Sequence, residues 1–150
     1  MRHHVEIDQS IKVEQTNQST VLAFSNGIHG TVLIPAEVKR ACQRALRDRG
    51  VASGMIMSRM FVAGLVLLLE SQAQNIAGVT IDPEYEGREG QIKGLLLRFV
   101  GKWKPNLSGN AIAFRSVGKK SAAHKWAWET HRGEHRPDRV VTLAELLQYC

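Results

Sequence analysis

The stretch His3-His4-Val5-Glu6-Ile7-Asp8-Gln9-Ser10 decides how the rest of the chain is read. Val5 and Ile7 fall on one face of a short extended run and Glu6 and Asp8 on the other, which is the two-residue period of a strand. A carboxylate inside an apolar β segment is costly to desolvate unless something neutralises it, and a divalent metal is one such partner. Asp8 is therefore the first candidate site residue, beside the plainer reading of a solvated strand face.

Working outward, the first strand ends near Gln9 or runs on through Ile11 and Val13, and the polar run from Glu14 to Ser19 reads as a turn. Thr20 to Phe24 is rich in β-branched and aromatic residues and forms a second strand. Ser25-Asn26-Gly27 supplies the positive φ of a tight hairpin, and Ile28 to Ile34 returns as a third. Three strands joined this closely make an antiparallel meander.

Pro35 then opens a helix over about 36–49, with Val38, Cys42 and Leu46 inward and Arg40, Arg44 and Arg47 on the solvent side. From Met55 to about Ala73 the chain is apolar nearly all round, as in a helix covered on both sides. Glu70 stands near its C-terminal end, where the helix dipole disfavours a carboxylate, so it is a candidate ligand as well as an ordinary residue of a solvated last turn.

Val79-Thr80-Ile81 is a fourth strand ending on Asp82. An acid at the C-terminal tip of a strand is where parallel sheets place their chemistry, although Asp-Pro also starts turns well. A helix from Arg88 to about Gly101 leads to a basic loop holding Lys102, Trp103 and Lys104, in which the tryptophan is placed either to stack on a base or to cover a core edge. Ala111 to Val117 is the fifth strand, followed by Gly118-Lys119-Lys120 and a helix from Ser121 carrying His124 and His131. A phosphate-binding loop is excluded there, because that motif needs Gly at 113 and Ser or Thr at 120, and the chain has Ala113 and Lys120. Thr142 to Glu145 is a capping box for a short helix near 142–149.

At 150 residues the chain suits one domain, and 43% hydrophobic with 23% charged residues suits a folded one. The formal net charge of +6 is uneven. Between Arg88 and Arg139 stand twelve Lys or Arg against four acids, which points to an anionic partner, nucleic acid first, against the plainer reading of a soluble basic surface. Cys42 and Cys150 have no metal spacing, and no leader opens the chain, so a reducing cytoplasmic setting is expected. The longest uncharged apolar run, Met60 to Leu69, is half of a membrane span, so no membrane partner is expected. The apolar helix leaves a homodimer open.

The order β-β-β-α-β-α-β-α, with one additional helix before the apolar one, resembles the ribonuclease H-like superfamily, which includes ribonuclease H and Holliday junction resolvase-like nucleases. Over residues 3 to 131 four stretches carry the likeness. VEIDQS resembles the first-strand motif, SRMFVAGLVLLLE the first long helix, VTIDPEY the fourth strand with its terminal Asp, and VGKKSAAHKWA the passage into the last helix. The resemblance implies an α/β fold with a mixed five-stranded sheet, an antiparallel meander followed by parallel strands, flanked by helices. It implies a metal site of Asp8, Asp82 and His124 holding Mg2+ or Mn2+ for phosphodiester hydrolysis, with Asp8 bridging two ions. Lys119, Lys120 and Lys125, with Lys102 and Lys104 in the basic loop, are the candidate nucleic-acid contacts.

The chain departs from the family at one place. The family's glutamate early in the first long helix falls at Phe61, and Glu70, Glu84 or Glu37 are the candidate substitutes, with Glu70 counted among the catalytic residues. Two functions therefore compete: a metal-dependent nuclease acting on RNA or DNA, and a catalytically inactive nucleic-acid-binding or assembly module.

Overall fold

A computed structural model describes residues 2–103 and 109–150; Lys104 lies outside the described residues, as does the side chain of Trp103. The strands are β1 (His3–Gln9), β2 (Thr20–Ser25), β3 (His29–Ile34), β4 (Ile76–Ile81), β5 (Ile112–Phe114) and β6 (Arg139–Val140). The helices are α1 (Ala36–Asp48), α2 (Ser53–Leu69), α3 (Glu89–Trp103), α4 (Ala122–His131) and α5 (Leu143–Gln148). The result is an α/β fold on a six-stranded mixed sheet in the order β5-β4-β1-β2-β3-β6. β1, β2 and β3 form the expected antiparallel meander, and β4 and β5 add in parallel on the β1 side.

The sheet has six strands where five are expected from the sequence. β6 pairs in parallel with β3, Val32 opposite Arg139 and Leu33 opposite Val140. Two residues in a charged stretch carry no readable alternation. What docks them is tertiary: Asp138 accepts from the Thr31 N–H at 3.0 Å while its own N–H donates to Thr31 Oγ1 at 3.0 Å.

Period-two alternation in β2 explains the layering. Leu22 and Phe24 join the main core with Val5, Ile7, Val32 and Ile34, under α2, whereas Val21 and Ala23 pack with Ala127 and Trp126 of α4 on the opposite face. α1, α3 and α5 pack against α2, so among the described residues one face carries four α-helices and the other carries α4. A sheet covered on both faces explains why every residue of β2 is buried.

The helical run Ser53–Asn75, α2 with the turn that follows it, is long and apolar enough to cross a membrane by length and composition alone. Here α2 is the core helix, enclosed by the sheet and its neighbouring helices. Gly64 lets it approach closely, since a Cβ there would lie 2.7 Å from Leu22 Cδ1. Local signals fall where the sequence places them. Gly27 takes φ +85° in the β2–β3 turn, and Thr142 and Glu145 form the reciprocal cap of α5. Pro35 stands one position earlier than expected, at the cap of α1.

Candidate metal centre

Because Val5 and Ile7 enter the main core, Glu6 and Asp8 are turned toward α4. Each meets a residue of that side: Ser121, the N-cap of α4, donates to Glu6 at 3.0 Å, and His124 Nδ1 lies 2.8 Å from Asp8 Oδ2. An ionised carboxylate only accepts, so Nδ1 carries the proton of this contact. The Gln9 N–H donates to the other oxygen of Asp8 at 2.8 Å.

Parallel pairing of β1 with β4 brings the second acid alongside. Asp82 follows β4 directly, and its N–H continues the ladder to Ile7 O at 3.1 Å. Its Oδ1 accepts from the Val117 N–H at 3.1 Å, which ties the β5–α4 connection over the site. Pro83 holds the chain extended after Asp82, and Glu84 is the third acid. Ligand oxygens of Asp8, Asp82 and Glu84 all lie within 4.8 Å of one another.

These carboxylates are placed against their own charge. Asp8 is 6% exposed, and burial raises its pKa against the opposing hydrogen bonds of His124 and the Gln9 N–H, with the Asp82 charge raising it further. Burial, then the charges of Asp8 and Asp82, push Glu84 up to about 7. Three clustered oxygen donors that repel one another suit a hard divalent cation, whose charge would relieve both penalties.

The cluster opens into a cleft of about 380 Å3, whose walls include Lys119, His124 and Trp128. The same three residues line an adjoining cavity of about 490 Å3 with Lys125, Glu129 and Arg132. Lys119 is thus beside the acids, Lys125 lines the adjoining cavity, and Lys120 is exposed in the same turn as Lys119. Lys102 is not part of this group: it belongs to α3, which packs on α2 across the sheet from α4, and its Nζ lies over the Phe99 ring at 5.8 Å.

Two expectations change. Glu70 does not join the cluster, because its carboxylate is engaged by Arg139 and by the Tyr149 hydroxyl at 2.8 Å, beyond the end of α2. Glu84 stands with the two aspartates, while His124 stands behind Asp8 as a hydrogen-bond partner. Phe61 is buried, with its ring 4.9 Å from that of Tyr85, so α2 contributes no carboxylate from that position. The readable signal for Glu84 is Asp-Pro-Glu itself: proline forces the preceding residue extended, and alternate residues of an extended segment share a side.

Comparison with family models, curated proteins and solved structures finds no match.

Proposed function

We propose that the chain is a metal-dependent nuclease of ribonuclease H-like type, working in a reducing cytoplasm on RNA or DNA. The observation that carries this reading is the convergence of Asp8, Asp82 and Glu84 at the ends of two neighbouring parallel strands, beside a cationic wall. The sheet supports it too, since an antiparallel meander followed by parallel strands is what the resemblance implies.

The three carboxylates would hold Mg2+ or Mn2+, an assignment favoured by their all-oxygen donor set. Such an ion supplies charge neutralisation at the phosphate and a lowered pKa for the attacking water. Asp8, oriented by His124 and the Gln9 N–H, would be a ligand of the ion together with Asp82 and Glu84. His124 opposes burial by donating Nδ1–H to Asp8, and Nε2, which makes no hydrogen bond among the described residues, is free to exchange a proton with the leaving oxygen. Lys119 receives a phosphate of the scissile strand.

Phe61 favours the second reading, a binding module without catalysis, because α2 supplies no carboxylate where the resembled family has its glutamate. Labelled single-stranded, duplex, hybrid and junction substrates, incubated with Mn2+ or Mg2+, separate the two. The nuclease reading expects metal-dependent cutting that Asp8→Asn loses. Binding without cutting would select the module.

A further inference from the structure

The two tryptophans of α4 have different surroundings. Trp126 is stacked on His29 with ring centroids 4.1 Å apart and nearly parallel, and its centroid lies 4.6 Å from that of His135. Those contacts fix it between β3 and the segment after α4. Trp128 instead lines both the acidic cleft and the adjoining cavity. It meets His131 edge-on at 5.6 Å and His124 at 6.4 Å, and its indole N–H makes no hydrogen bond among the described residues.

Helical spacing sets what surrounds it. Lys125, Trp128 and Arg132 recur at three and four residues, so they form one stripe along α4, and His124 lies one turn before Trp128. Lys119 reaches the same wall from the β5–α4 turn. Of the charged groups beside these cations, Glu129 is engaged by His135 at 3.1 Å, and Arg132 shares an exposed pair with Glu134 at 2.8 Å. Lys119 and Lys125 make no ion pair among the described residues.

Resting on the nuclease reading, we infer that this groove takes a single-stranded polynucleotide, with a base stacked on Trp128 and the neighbouring phosphates on Lys119, Lys125 and Arg132. A polyanion spanning these cations places one phosphate at the Asp8, Asp82 and Glu84 cluster. The aromatic face decides the strandedness. In a duplex each base face is covered by the next pair, so only an unpaired base offers a face to an indole, and every base does so regardless of sequence. A groove built for duplex would need the cations alone.

The test is fluorescence polarisation with the full chain in EDTA, where no cutting occurs, using a labelled strand of about 15 nucleotides as DNA, as RNA and as duplex. The single strand binds more tightly than the duplex, and Trp128→Ala weakens the single strand by about tenfold with the duplex unchanged. Trp128→Phe restores most of the loss. Lys125→Glu, which leaves the indole in place, weakens both forms and lowers the salt slope by about one. Preference for RNA or for DNA is compatible with the inference. Equal or tighter duplex binding, no binding of any nucleic acid, or a folded Trp128→Ala protein with unchanged affinity would overturn it. Trp128-dependent binding without metal-dependent cutting would remove the nuclease reading alone, and cutting without Trp128 dependence would remove this one alone.

Discussion

His124 Nδ1 and Asp8 Oδ2 stand 2.8 Å apart across 116 positions of sequence, joining the C-terminal end of β1 to the first turn of α4. With the Ser121–Glu6 hydrogen bond and the packing of Ala127 on Val21 and Ala23, this contact holds α4 against the sheet beside the acidic cluster. It also opposes burial in setting the ionisation of Asp8. Removing it should therefore weaken the metal centre and leave the three carboxylates in place. For His124→Ala, Mn2+ affinity near neutral pH should fall by about ten- to a hundredfold, as is usual when the partner of a metal ligand is lost. Calorimetric titration of the two proteins checks it, and unchanged affinity would remove His124 from the site.

Glu84 gives the metal-free protein a pH dependence whose sign is determined. Its carboxyl is raised in the fold from 4.5 to about 7, so the folded state binds the proton more readily than the unfolded chain. The contribution to stability is full below 4.5 and is lost as pH rises through about 7. Glu84→Gln should remove that fall, and Mn2+ should raise the melting temperature more above the shifted pKa than below it. Melting curves of both proteins across this window, with and without the ion, provide the measurement.

The strand period from Val5 to Asp8 was enough to orient Asp8, because side-chain alternation is a property of the backbone alone. The hairpin at Gly27 and the cap at Thr142 were legible for the same reason: each is a local conformational demand. What was not legible depends on partners far away in sequence. β6 is two residues long and exists through Thr31 and Leu33. Glu70 looked like a spare ligand because Arg139 and Tyr149, which engage it, arrive about 70 residues later. Glu84 is legible only through Asp82-Pro83-Glu84, whose extended backbone puts the two acids on one side; that this side faces Asp8 depends on the pairing of β4 with β1.

Phe61 stands where the resembled family has an acid, and here the core decides its character. Buried against Tyr85, it should cost about 3–5 kcal/mol when truncated to Ala. Phe61→Glu should be at least as destabilising, because it buries a carboxyl, and should add no metal affinity. Denaturant unfolding and metal titration check the two halves.

Cys42 of α1 and Cys150 bring their sulfurs to 3.6 Å as free thiols, and the hydrogen bond from Cys150 makes Cys42 the more easily ionised of the two. Exchange with glutathione disulfide, which takes up the two hydrogens as two reduced glutathiones, should join them. A link closing a loop of about 100 residues stabilises by up to about 4–5 kcal/mol. Mass spectrometry of the oxidised protein should show the loss of two hydrogens, and Cys150→Ser should prevent both that and the rise in melting temperature.

The central claim is that Asp8, Asp82 and Glu84 form a metal centre for cutting polynucleotides. The most direct measurement titrates Mn2+ into the wild-type protein, Asp8→Asn and Glu70→Gln, and assays each for cleavage of labelled nucleic acid. The account predicts binding and cutting in the wild type, loss of both in Asp8→Asn, and retention of both in Glu70→Gln, which should lose only stability. Mn2+ binding or cutting that survives in Asp8→Asn would contradict it, as would a wild-type protein that binds no divalent ion.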